Sequence, residues 1–389
     1  MSSLEPDLGP LTLWRNGLLL TLLAWLLTSL FYHQAFDSSP RPAELREAFT
    51  QARLVAESKS PPIYPSLDAL AMWPLDRLPL DVAIHLWFFL CVISLLFSIG
   101  LFALAAGIQL HDAAPLGIMM IIGFRYQPTI LDFWQGQFDL PVLALLCAAY
   151  LAGSRDRIYW LAACLAGAAL MKPWMIGFFI YLLIRRRPLA FIWAMILYAS
   201  VAAALLAKAG WHDWSRLPSM MLHLPNLDLN YGFANQSILG FARVHFGPNP
   251  DAEPWVDDPI VMYSVVAAGF LALLCGLWLA CRRAPAARGD RARLLFGLVV
   301  ASLLMALPYC RPAYFVFLLP VFWTLLTADG ITGSVRAAGV AVYAVFTQPF
   351  ETPHTLATGW DTLMPSAFFF ANVVLWMVLL AAIRRRRLA

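Results

Sequence analysis

Residues 82–109 read VAIHLWFFLCVISLLFSIGLFALAAGIQ, a run with no Asp, Glu, Lys or Arg. It is longer than the roughly 20 residues an α-helix needs to cross about 30 Å of hydrocarbon. Inside a bilayer, backbone N–H and C=O groups have no water to bond, so a single crossing segment must be a helix. Further apolar runs lie on either side, at Leu11–Phe31, Ala114–Phe124, Phe138–Ala152, Ile158–Met171, Trp174–Ile184 and Leu189–Ala207. They continue at Pro259–Ala280, Leu294–Leu307, Tyr314–Thr327, Ala337–Thr347 and Pro365–Ile383. Counted together they predict about twelve spans, or ten or eleven if some short runs are broken or only partly inserted.

Composition agrees. The 389 residues are 61% hydrophobic and 13% charged, against about 45–50% and about 25% in soluble domains. That excludes a soluble fold, whose surface needs polar cover, and intrinsic disorder, which needs low apolar content. The expected fold is all-α and polytopic, a single integral-membrane domain over residues 1–389. The first run ends in Ser29-Leu30-Phe31-Tyr32, which lacks a small-x-small cleavage pattern, so it reads as an uncleaved first helix.

The arginine clusters predict the orientation. They are Arg15, Arg155 with Arg157, Arg185-Arg186-Arg187, Arg282 through Arg293, Arg336, and Arg384 through Arg387. With twelve spans and a cytoplasmic N-terminus, all fall on the cytoplasmic side, as the positive-inside bias requires. Both termini are then cytoplasmic in a cytoplasmic (inner) membrane. The net charge of +4 comes from clusters between apolar runs, which is not a nucleic-acid footprint. The six cysteines show neither a disulfide framework nor metal spacing and read as packing residues.

The long loops, Tyr32–Asp81, Arg125–Gln137, Lys208–Asp258 and Pro349–Met364, then lie outside and carry the polar chemistry. Asp37 follows the first span closely. It is either a solvated acid or cap, or a general base held at the membrane boundary. Pro42–Glu57, with Leu45, Phe49, Ala52 and Leu54 on one stripe, suggests an amphipathic surface helix. A proline-dense path through Tyr64 follows. Gln137 and Asp139 flank a membrane entry beside Gly136. Lys172, before Pro173, is either a snorkelling anchor or a boundary charge that marks a site. Asn235-Gln236-Ser237 supplies three hydrogen-bonding side chains that can read sugar hydroxyls or cap a helix. Arg311, before Pro312, is a second candidate anion ligand.

These elements resemble the bacterial GT-C glycosyltransferases of family 87, of the polyprenyl-phosphate-mannose-dependent mannosyltransferase type. The resemblance rests on an Asp soon after the first span and on Tyr64-Pro65, Trp73-Pro74-Leu75 and Leu78-Pro79 leading into Ala83, Leu86 and Trp87. Gly136-Gln137, Gly167 with Lys172-Pro173, Arg185-Arg186-Arg187 and Asn235-Gln236-Ser237 follow in order. It covers residues 10 to 330 or thereabouts. It implies a GT-C-like bundle and transfer of a sugar from a polyprenyl-phosphate carrier to a glycan or glycolipid acceptor outside the membrane. Asp37 takes the place of the family's catalytic carboxylate. Tyr64, Gln137, Lys172, Asn235, Gln236, Ser237 and Arg311 are the expected substrate-binding residues. The lipid-linked sugar donor is the cofactor-like molecule expected, and the sequence leaves a divalent-metal requirement open. The lone loop carboxylate has no acidic neighbour to build a tight metal site. The competing reading is a secondary transporter or lipid-linked-sugar flippase, which requires charges at mid-span.

Overall fold

A computed structural model describes residues 10–37, 74–75, 77–109, 111–209, 234–249, 252–282, 289–328, 330–349 and 359–385. The expected amphipathic stretch Pro42–Glu57 and Tyr64 lie outside these residues. Among the described residues the chain is helical, without a strand. The helices are α1 Pro10–Asp37, α2 Leu80–Ala106, α3 Ala113–Phe124, α4 Gln127–Trp134, α5 Asp139–Ser154, α6 Ile158–Met171, α7 Phe178–Ile184 and α8 Pro188–Ala209. They continue as α9 Ile238–Phe246, α10 Pro259–Cys281, α11 Gly289–Ala306, α12 Leu319–Thr327, α13 Gly333–Phe346 and α14 Ala367–Arg385. Short 3₁₀ turns at Pro173–Gly177 and Pro312–Leu318 lead into α7 and α12.

Each predicted apolar run is a helix. Five of them, α1, α2, α8, α10 and α14, are long and apolar enough to cross a membrane. Shorter apolar helices, α3, α5, α6, α13 and the two 3₁₀–α composites, stand beside them, and α11, the remaining one of the twelve predicted runs, packs in the core. The outer helices expose large apolar side chains, Trp14, Leu18 and Trp25 on α1 and Ile260, Leu271 and Leu274 on α10. An apolar surface of this kind suits hydrocarbon rather than water.

Local chemistry sets the breaks. α2 ends at Gly107, whose φ of 75° is the left-handed conformation that glycine adopts without steric cost. There the Ile108 N–H bonds the Ala103 carbonyl and the Gly107 N–H bonds that of Leu104, which closes the helix end. Lys172 and Arg311 each precede a proline and are extended, at φ −132° and −72°. Proline excludes its predecessor from the helical region, and this ends α6 at Met171 and sets the bend before Pro312.

The first helix runs further than expected. Apolar patterning stops at Phe31, which put Asp37 in a loop, whereas α1 continues through Asp37. No Gly or Pro occurs between Gly17 and Pro40 to stop it. Phe36 also stacks on His85 of α2 at 5.1 Å and meets Phe133 of α4 at 5.7 Å, so the extra turn is packed.

Helices α10 and α14 meet at Gly276, where a Cβ would collide with the Trp376 ring. The Trp376 indole N–H donates to Ser302 Oγ at 3.0 Å, so the ring is not free to swing aside. Gly276→Ala is therefore expected to destabilise the protein by about 1–3 kcal/mol, the usual cost of overpacking. Gly100→Ala, with no atom within 4 Å of its Cβ, is the control. Thermal melting in detergent checks both; equal melting temperatures for the two variants contradict the packing assigned here.

Candidate functional site

The central feature is a tight turn between α4 and α5. Gly136 has φ 59°, and the N–H groups of Gly136 and Gln137 bond the carbonyls of Phe133 and Asp132 at 3.2 and 3.0 Å. This is a left-handed helix cap, and it delivers Gln137 and Asp139 just beyond the end of α4. Asp132 secures the turn from below. Its carboxylate accepts the N–H groups of Asp139 and Leu140, at 3.0 and 3.3 Å. These are free donors at the N-terminus of α5, where negative charge is favoured. α4 is too short to span a bilayer and Asp132 is fully buried. Burial first, and the Asp139 charge second, push its carboxyl well above the usual range, opposed by Lys172 and the two backbone N–H groups.

Lys172, on the facing end of α6, closes the cluster. Its Nζ lies 3.1 Å from Asp139 Oδ1 and donates to Gln137 Oε1 at 2.6 Å. The two charged side chains are 1% and 0% exposed. The Nζ also stands 5.1 Å from the centre of the Tyr314 ring, a cation–π contact. Arg311, one helical turn earlier in the same segment, acts electrostatically on Asp139. Two carboxylates and two cations thus share one end of the bundle. Among the described residues, Gln135 Oε1 and Trp174 Nε1 are buried without a hydrogen-bond partner. Each stands two residues from a member of this cluster.

α1 reaches the same end. The Trp134 indole N–H donates to the Ala35 carbonyl at 3.1 Å, and Arg125 donates to Gln34 Oε1 at 3.4 Å. The last residues of α1, ending in Asp37, are therefore tied to the turn that carries Gln137.

Asn235-Gln236-Ser237 fastens the Arg311 bend. Asn235 Oδ1 accepts the Cys310 N–H at 2.9 Å, and its Nδ2 donates to the Pro308 carbonyl at 2.9 Å. The Gln236 N–H donates to the Cys310 carbonyl at 2.8 Å. Its side chain bridges the Pro365 carbonyl and the Phe369 N–H at 2.7 and 2.9 Å. Ser237 Oγ accepts the Gly240 N–H at 3.1 Å and caps α9. All three side chains are buried and bond backbone groups of the fold.

The structure thus brings together Gln137, Lys172 and Arg311, with the end of α1 alongside and the Asn235 segment behind Arg311. Sequence reading omitted Asp132, Asp139 and Tyr314 from the candidate set. Asp139 carried a signal, as an acid opening an apolar run, and the spacing Asp132-x₃-Gly136-x₂-Asp139 around a glycine cap was a second.

A sequence model of glycosyltransferase family 87 matches residues 63–308, more than half of the chain. No protein of curated function matches it.

Removing one member of a buried ion pair leaves an uncompensated charge and costs about 3–5 kcal/mol, whereas replacing both members is far cheaper. Lys172→Met and Asp139→Leu are each expected to lower the melting temperature sharply, and the double variant to recover most of the loss. A double-mutant cycle by thermal melting measures the coupling; strictly additive losses contradict a direct pair.

Proposed function

Since the chain belongs to glycosyltransferase family 87, we propose that it moves a sugar, mannose or another hexose, from a polyprenyl-phosphate carrier to a glycan or glycolipid acceptor. The acceptor lies on the outer side of the cytoplasmic membrane. The observation that carries this reading is the meeting of four segments at one end of the bundle. They are the C-terminal end of α1, the Gly136 turn, the end of α6 at Lys172 and the Arg311 bend. In this reading every apolar helix crosses, which makes twelve spans, and the arginine clusters keep both termini cytoplasmic.

The chemistry follows from the residue types. The acceptor hydroxyl oxygen attacks the anomeric carbon from the face opposite the phosphate. The bond from that carbon to the phosphate oxygen breaks, and its electron pair leaves with the carrier phosphate, so configuration inverts. Asp37 takes the hydroxyl proton. Arg311 and Lys172 supply positive charge where the leaving phosphate develops its own. Lys172 is held for this by Asp139 and Gln137. Gln137 and Tyr64 supply hydrogen bonds to the sugar. Asn235 and Gln236 act on the substrate through the Pro308–Cys310 backbone they fasten, and Ser237 through the α9 end it caps. The open polar atoms of Gln135 and Trp174 suit a site that awaits a polar ligand.

Asp37→Asn keeps the size and loses the base, so turnover is expected to fall by about 10²–10⁴ with insertion and donor binding retained. Asp68→Asn, between α1 and α2 in sequence, is expected to stay active. Release of polyprenyl phosphate from a radiolabelled donor is the readout. Loss in Asp68→Asn with full activity in Asp37→Asn moves the base; full activity in both removes the mechanism.

A further inference from the structure

A second polar centre lies at the opposite end of α5 and α6. α5 begins at Asp139 and ends at Ser154, and α6 begins at Ile158 beside Asp156 and ends beneath Lys172. At about 1.5 Å per residue, these helices place the two centres about 20 Å apart. A cavity of about 490 Å³ opens at this far end, with Tyr150, Ser154, Tyr181, Arg185, Arg187 and Phe296 on its walls.

Its charge is unbalanced. Arg187 Nη2 donates to Asp156 Oδ1 at 2.7 Å, but its Nη1 is buried with no hydrogen-bond partner among the described residues. Arg185 Nη1 is likewise buried and without a partner, and no carboxylate pairs with it among the described residues. Both guanidinium groups act on the Tyr181 hydroxyl, and Arg185 also acts on that of Tyr150. The rest of the wall carries Asp156, paired with Arg187, and the apolar side chains of Leu161, Leu165, Leu182 and Phe296. Two adjacent helix ends are set for this geometry. Asp156 and Arg186 both adopt left-handed φ values, of 53° and 52°. Each closes its helix with a doubly bonded cap, the Arg157 N–H on the Ala152 carbonyl and the Arg187 N–H on that of Leu182. These caps turn Asp156 and Arg187 toward each other.

Guanidinium donors left unspent in a half-buried cavity call for an acceptor with several oxygens, and phosphate matches the guanidinium fork. A wall of leucine and phenylalanine beside those donors calls for a ligand with hydrocarbon attached. We propose that this cavity binds the phosphate of an anionic phospholipid. Arg185 and Arg187 hold its oxygens, the Tyr150 and Tyr181 hydroxyls lie alongside, and an acyl chain leaves along the apolar wall. The site is separate from the proposed transfer centre and does not rest on it.

The test uses delipidated full-length protein in detergent, titrated with phosphatidylglycerol, phosphatidylcholine or inorganic phosphate and read by native mass spectrometry and thermal melting. Phosphatidylglycerol is expected to bind about tenfold more tightly than phosphatidylcholine, which offers the same phosphate oxygens but brings a quaternary ammonium against the two guanidinium groups. Arg185→Gln is expected to remove that preference, whereas Arg186→Gln, on an exposed neighbour, is expected to keep it. Equal binding of the two lipids overturns the proposal. So does an equal loss in Arg186→Gln, which makes the region a diffuse basic surface. Inorganic phosphate that reproduces the full melting shift and displaces the lipid makes this a free-anion site and overturns the lipid assignment. If Arg185→Gln does not fold, the comparison of lipids on the wild-type protein decides alone.

Discussion

The ion pair between Lys172 and Asp139 is the constraint around which this end of the molecule is built. Both side chains are withdrawn from solvent in an apolar bundle. Desolvating each ion costs several kcal/mol, and only close, well-bonded geometry offsets it. The surrounding residues provide part of that geometry: the Asp139 oxygens have the 3.1 Å contact to Lys172 but no further hydrogen-bond partner among the described residues. Gln137 accepts a hydrogen bond from the lysine, Asp132 holds the first N–H groups of α5, and Arg311 lends a second positive charge. The pair joins the turn between α4 and α5 to the break between α6 and the following 3₁₀ segment, so it fixes where four chain ends meet.

Two prolines give this arrangement its form. Pro173 and Pro312 each force the preceding residue out of the helix, and in both cases that residue is a cation. The lysine at the end of α6 and the arginine in the stretch after α11 are thereby set on bends, each followed by a 3₁₀ segment with aromatic side chains. Trp174 packs on Tyr314 and Phe317 at 5.6 and 5.3 Å between ring centres, so the two bends support each other. The Tyr126 hydroxyl donates to the Phe315 carbonyl at 3.0 Å and ties the second bend to the start of α4. Asn235 secures it from the other side. Rigid placement of charge before substrate arrives is what electrostatic stabilisation of a leaving phosphate requires.

Much of the fold is legible in the residues because hydrocarbon imposes one rule along the whole chain: a run of apolar residues must be a helix. The runs at Ile158–Met171 and Ala114–Phe124 match their helices closely. The site is less legible. Asp132 sits in QPTILDFW, a segment read as loop because it is short and holds polar residues, yet it folds as a buried helix. Its carboxylate serves backbone N–H groups that follow it in sequence, a relation no hydropathy pattern carries. Gly136 stood in the sequence as the neighbour of Gln137 and Asp139 at a membrane entry, and its positive φ makes it a helix cap. Asn235-Gln236-Ser237 was read as three side chains that read hydroxyl groups or cap a helix, and Ser237 does cap α9. The Asn235 and Gln236 side chains bond carbonyls and N–H groups more than 70 residues away, and only the tertiary fold brings those near. The lysine was noticed because a charge at a membrane boundary needs a partner; the partner itself came from the structure.

The central claim is that the end of the bundle organised by Lys172 and Asp139 performs glycosyl transfer from a lipid carrier. The most direct measurement incubates the purified protein with a panel of polyprenyl-phosphate sugars, with and without membrane-extracted acceptor, and quantifies free polyprenyl phosphate. The account predicts that at least one donor releases its carrier phosphate only when acceptor is present, with the sugar recovered on the acceptor. A folded protein that leaves every donor intact, while carrying a labelled donor across the bilayer of proteoliposomes, would contradict it.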